Sequence, residues 1–290
     1  MPFRRVAVLA GLLGLMLGLL LAFTRASAEG SEDARPLRIG LLPTNAPLSL
    51  LRLYDPWRKY LEDKLGRPVE LYTAANFRSH YNDVKSGTFD LLVTAPHFGA
   101  AAVEAGYLPL VRYKAELRPL IVVPKNSPIH HPEQLRGKKV LTADRLTAMS
   151  VVSEHWLESR YGLVAGQDYQ MIDASSHGTA LRSVAMGNAD AAISSRSALQ
   201  QAPAEIREQL TFFEADIAVP HQSILAHSRL GEARIASIRA ALQSFPDSDV
   251  GKSFFAAGGF QDYVPLTAAD IDSVRIYAIK VDQMIEKAAP

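Results

Sequence analysis

Two phrases, one in each half of the chain, carry the same pattern: Lys85-Ser86-Gly87-Thr88-Phe89-Asp90-Leu91-Leu92 and Met186-Gly187-Asn188-Ala189-Asp190-Ala191-Ala192-Ile193. Each reads as a helix end, a glycine turn and an Asp-led apolar strand. Strand-like runs over 37–42, 69–72, 89–94, 120–123, 140–141 and 190–194 alternate with helical spacing over 50–65, 77–85, 99–105, 147–161, 177–186 and 197–201. Further helices are expected over 230–243 and from Ala268. Strands alternating with helices imply βαβ units and mostly parallel sheets. The echo implies two similar α/β lobes rather than a short-period repeat.

The amino terminus sets the compartment. Arg4-Arg5 precede an apolar run over 6–23, and Ala26-Ser27-Ala28 offers an A-x-A cleavage pattern. This is a secretory signal over 1–28. The run is also near the lower length for a membrane span, so an uncleaved anchor is the competing reading. Both readings place the body in a periplasm, free or tethered to the inner membrane. Residues 29–35 read as a flexible linker.

Charge and motif content narrow the function. The net charge is +1, and Arg4, Arg5 and Arg25 are the charges before Ala28, leaving +1 − 3 = −2 for the remainder. Such a body, without a basic stripe, is not built for nucleic acid. No cysteine is present, which removes disulfides, thiolate nucleophiles and Cys-zinc sites. There is no nucleophile-elbow, P-loop or dinucleotide fingerprint, and no H-E-x-x-H. The expectation is a binding protein, not an enzyme, with no cofactor and no metal. A weaker reading lets His97, His177 and His221 converge on a metal ion in a cleft.

The order of phrases resembles the periplasmic phosphate/phosphite/phosphonate-binding proteins of ABC importers. The matching phrases are IGLLPTNAP (39–47), GRPVELY (66–72), SGTFDLLVTAPHFGAA (86–101) and LIVVPKNSPIHHPEQLRGKKV (120–140). SSHGTALRSVAMGNADAAIS (175–194), VPHQSILAHSRL (219–230) and GGFQDYVPLTAADIDSVR (258–275) continue the series. The resemblance implies a two-lobed α/β fold whose lobes are joined by two crossing strands and close on a ligand by hinge motion. Residues 36–118 with 223–290 would form one lobe and 119–222 the other. It further implies a monomer that captures a small oxyanion and delivers it to a membrane permease. The same fold can instead serve a membrane histidine kinase as a sensor.

The resemblance also nominates site residues. Where the family's loop usually reads Asp-Pro-x-Ser-Thr-Ser-Gly, this chain has Asp144-Arg145-Leu146-Thr147-Ala148-Met149-Ser150. Thr147 keeps the first hydroxyl, while Ala148 and Met149 offer only backbone N–H groups. Thr147 also suits a helix cap, and the two roles can coexist. His177 matches a cleft histidine, and Thr44 lies where first-lobe contacts are placed. Phe77 stands where a Tyr is frequent, to pack on a ligand or in the core. Thr94 replaces another Tyr, and His97, in the loop three residues on, can fill the vacated space. Gln222 replaces an Asp that pairs with aminoalkyl ammonium groups. A neutral amide lacks that charge, so a small oxyanion suits this site better than a zwitterion.

Overall fold

The computed structural model describes residues 35–287; the expected signal segment over 1–28, and all of the 29–35 linker except Arg35, lie outside the described residues. The chain begins with β1 (Leu37–Leu41), α1 (Pro47–Leu65), β2 (Val69–Thr73), α2 (Phe77–Lys85), β3 (Leu91–Thr94), α3 (Pro96–Glu104) and β4 (Tyr107–Tyr113). It leaves through β5 (Glu116–Leu117) into β6 (Leu120–Pro124), β7 (Lys139–Thr142), α4 (Ala148–Tyr161), β8 (Gln170–Asp173), α5 (His177–Ala185) and β9 (Ala191–Ser194). After α6 (Arg196–Gln201), α7 (Ala204–Arg207) and β10 (Leu210–Glu214) it returns by β11 (Val219–Pro220). β12 (Ser223–His227), α8 (Glu232–Ser244), α9 (Asp249–Gly258), β13 (Tyr263–Pro265) and α10 (Ala268–Lys287) complete it.

Two sheets result, ordered β13-β4-β12-β3-β1-β2 and β10-β6-β9-β7-β8. In the first, β1, β2 and β3 are mutually parallel, β12 runs against β3, and β4 and β13 pair antiparallel in turn. In the second, β7, β8 and β9 are parallel, and β6 and β10 close the sheet antiparallel. Most strands of each sheet therefore point one way. The short ladder of β5 with β11, which joins Leu117 to Val219 and Glu116 to Pro220, carries the chain out and back.

The local causes are simple. α1 turns Leu50, Tyr54, Trp57 and Leu61 to one side, at helical spacing, and buries them on the sheet. It stops at Gly66, whose φ of 62° is left-handed backbone that suits glycine. α3 begins at Pro96 rather than at 99, because proline is pre-set for a first helical turn. His97 is consequently a helix residue, not a loop residue. β4 accommodates Pro109 through a register shift between Ile224 and Leu225 of β12.

α10 belongs to both halves. Its Asp270 pairs with Arg112, Arg275 with Glu104, and Asp282 with Lys85 and Tyr81. On its other side Lys280 pairs with Glu158 at 2.8 Å, and Tyr277 meets the His155 ring edge-on. Leu146, Val151 and Val152 from the start of α4 share one apolar cluster with Phe98, Leu225, Ile271, Val274 and Tyr277. The helix opening the second half is thus packed into the core of the first.

Gly40 of β1 lies under the Phe89 ring, and a Cβ there would stand 2.3 Å from Phe89 Cδ2. Gly40→Ala is expected to destabilise the protein by about 1–3 kcal/mol through overpacking, read as a lower urea midpoint. An unchanged midpoint would show that Phe89 moves freely.

Candidate ligand-binding site

Among the described residues, the polar side chains that are buried concentrate where the central strands end. Thr94 closes β3, Thr142 closes β7 and Ser194 closes β9, and each is 0 % exposed, as is Ser223 at the start of β12. In open α/β sheets ligands bind outside the carboxyl ends of strands, and these hydroxyls mark that edge.

Each half builds the same couple there. In the first, His80 Nε2 lies 2.9 Å from Thr94 Oγ1. In the second, His177 Nδ1 lies 3.3 Å from Ser194 Oγ. α2 and α5 supply the histidines and are capped alike, by Asn76 and Ser176 accepting from the N–H of Ser79 and Thr179. Ser223 stands opposite Thr94 in the ladder, so both hydroxyls share one face of the first sheet.

The two halves meet at His97, which is buried and whose Nε2 lies 3.0 Å from the Leu146 carbonyl oxygen. Leu146 belongs to the loop that opens α4. There Thr147 is the N-cap, accepting from the Ser150 N–H at 3.2 Å. The Ser150 hydroxyl donates to the Asp144 carbonyl at 2.7 Å, so its single proton is used. The 2.7 Å contact between Thr147 Oγ1 and Ser150 Oγ therefore has Thr147 as donor. With its proton directed into the cap, Thr147 offers an anion no donor in this arrangement. The Ala148 and Met149 N–H groups make no hydrogen bond among the described residues, as expected for a first helical turn. Their side chains are buried, packed with Trp156 and Leu157 in the second-half core.

The remaining candidates spread out. Phe77 opens α2 and packs half-buried against the shared apolar cluster. Thr44 is exposed in the loop after β1, its amide bonded to the Leu42 carbonyl. Gln222 is half-buried beside the crossing strands, its N–H donating to His221 Nδ1 at 2.8 Å. His221 in turn sits edge-on to Tyr113 and Phe260. Sequence reading passed over His80, Ser150, Ser194 and Ser223. His80 was detectable: it falls on the buried side of α2 with Tyr81 and Val84.

The histidines of the site are uncharged at neutral pH. Burial pushes His80, His97, His177 and His221 down to about 4, and at His221 the nearby Arg112 adds to the effect. The neighbouring cations are matched, Arg145 by Glu154, Arg112 by Asp270 and Arg196 by Glu214. Among the described residues no group of three or more His, Asp or Glu could share a metal ion. An anion here would be held by neutral donors and helix-start N–H groups.

Comparison with known proteins gives the family and the fold. The family described as ABC transporter, phosphonate, periplasmic substrate-binding protein matches residues 39–271. The fold is similar to that of PhnD1 from Prochlorococcus marinus, solved in complex with methylphosphonate, at 13% identity and a TM-score of 0.73, covering 85% of this chain and 98% of that one. A Xanthomonas citri protein solved with bound chloride gives 14% identity and a TM-score of 0.73 over 86% and 99%. A binding-protein component of a phosphonate ABC transporter from Pseudomonas aeruginosa gives 13% identity and a TM-score of 0.70 over 88% and 99%.

The buried histidines make stability pH-dependent. An unfolded chain protonates them near pH 6.5, whereas the folded rings stay neutral down to about 4. The unfolded state binds more protons in between, so stability falls as pH drops through that window. At about pH 5, His80 and His97 should each account for about 2 kcal/mol of this loss. Melting curves at about pH 7.5 and about pH 5 should diverge in the wild type and lie closer together in a His80→Gln/His97→Gln double variant, with His177 and His221 keeping part of the gap. An equal shift in both proteins would remove these rings as the cause.

Proposed function

The chain belongs to the phosphonate-type periplasmic substrate-binding proteins of ABC transporters, and from that premise we propose that it captures a small oxyanion between its two lobes and delivers it to a membrane permease. The lobes are taken as residues 36–118 with 223–290 and residues 119–222. Export would follow the signal over 1–28, cleaved after Ala28, with the mature protein acting as a monomer. Phosphate, phosphite and methylphosphonate are the ligands that suit the chemistry.

One observation carries the reading: the free N–H groups of Ala148 and Met149 open a fourteen-residue helix beside the buried hydroxyls of the strand ends. A helix start of this length presents donors and partial positive charge to an anion. His177 lies within reach of the Ser194 hydroxyl, and Thr94 within reach of His80. These couples would replace ligand hydration with fixed dipoles as the lobes close. Thr44, Phe77 and Gln222 are assigned to the rim. The absence of an unmatched carboxylate at Gln222 favours a simple oxyanion over an aminoalkylphosphonate. Catalysis is not assigned, because the family is one of substrate-binding proteins.

Ala148 offers a clean test, since it is the first helical residue. Thr147 already has φ −68° and ψ 151°, the backbone a residue before proline prefers, and proline is favoured at this helical position. Ala148→Pro should therefore fold while deleting one donor. A hydrogen bond to a charged group contributes about 1.5–3 kcal/mol, so affinity for the bound oxyanion should fall roughly ten- to hundredfold by titration calorimetry. Full affinity in a folded Ala148→Pro protein would move the anion away from α4.

A further inference from the structure

The second ring nitrogen of His97 is unused. Its Nε2 faces the Leu146 carbonyl oxygen at 3.0 Å. A carbonyl only accepts, so Nε2 carries the proton and donates. Among the described residues His97 has no acidic partner, and the Phe98 ring packs on it at 4.4 Å between centroids. A buried ring without a counter-charge is neutral, which agrees with the value of about 4 to which burial pushes it. In a neutral ring protonated at Nε2, Nδ1 is a lone pair. It is buried and lacks a hydrogen-bond partner.

A second buried atom, on the neighbouring strand β12, is in the same condition. Ser223 Oγ is buried and unpartnered, and it lies against α3 at Gly99, two residues after His97. Buried polar atoms are almost always satisfied in folded proteins, so the orphaned His97 Nδ1, three residues past the end of β3, marks unmet binding capacity. The capacity has a definite sign at His97: it needs a donor, and every unprotonated oxyanion oxygen is an acceptor.

We propose that His97 Nδ1 is a specificity-determining acceptor that takes a hydrogen bond from a hydroxyl of the ligand, so that the protein selects oxyanions carrying a proton, such as hydrogen phosphate or a phosphonate monoanion, and rejects sulfate. The proposal rests on the oxyanion reading above and adds the protonation state to it. Sulfate is the informative counter-ligand, having similar shape and charge but no proton at neutral pH. It would place an anionic oxygen against a lone pair in a buried site, and sites built for a hydrogen bond discriminate strongly against ligands that cannot make it.

The test is a calorimetric comparison of inorganic phosphate, methylphosphonate and sulfate at about pH 7, on the wild type and on His97→Phe. The wild type should bind one of the phosphorus oxyanions at least about a hundredfold more tightly than sulfate. His97→Phe should bring that ratio to within about tenfold by losing affinity for the protonated ligand. Should His97→Phe fail to fold, the ¹⁵N spectrum of the wild-type imidazoles decides: His97 Nδ1 should be unprotonated without ligand and shift towards a hydrogen-bonded value on titration with the tighter phosphorus oxyanion. Sulfate binding as tightly as phosphate, or an Nδ1 resonance that stays fixed, would overturn the assignment while leaving the oxyanion reading intact. No binding of any of the three would overturn both.

Discussion

A parallel strand cannot hairpin into its neighbour, so its chain must leave the sheet's carboxyl edge through a helix that returns along the face. This constraint organises the protein. In β1–β3 and again in β7–β9, the turn into the next helix begins where the strand's last residue ends. Helix starts and strand ends therefore gather along one edge of each sheet, and whatever polar atoms lie there are both buried and pre-aligned. The hydroxyls of Thr94, Thr142 and Ser194 are positioned by that geometry, not by any local motif.

The parallel halves were legible because their signals are local. An apolar run, a glycine turn and an amphipathic helix each occupy consecutive residues, and the echo between 85–92 and 186–193 reports the repeated unit directly. The antiparallel strands were less readable. β4 contains Pro109, which argues against a strand until the register shift on β12 is known. β12 reads from the sequence as part of a crossing segment rather than as a strand of the first sheet. β10 and β13 acquire their strand character only from partners distant in sequence, as β-propensity usually does.

The site divides in the same way. His177 and the start of α4 came from family-like phrases, and His97 from its spacing after Thr94. The partners that give them meaning were hidden: Ser194 reads as the tail of an apolar strand, Ser150 as an ordinary helix residue, and Ser223 as part of a crossing segment. The proton accounting at Thr147 depends on Ser150 reaching the Asp144 carbonyl, a three-dimensional fact without a sequence signature. The two histidine–hydroxyl couples are likewise offset by one helical turn, His80 being the fourth residue of α2 and His177 the first of α5. An aligned comparison of the two halves misses that equivalence.

The shared apolar cluster beneath α10 has a thermodynamic consequence for ligand exchange. Parting α4 from α10 would wet Leu146, Val151 and Val152 on one side and Val274 and Tyr277 on the other. Exposure of that kind raises heat capacity, so opening would be the high-heat-capacity end of the cycle and the clasp would slacken on cooling, as hydrophobic contacts do. Kosmotropic salt, by the same physics, would hold the lobes together independently of anything bound between them. On the proposed function, the temperature of ligand exchange would then be set partly by the packing of α4 on α10.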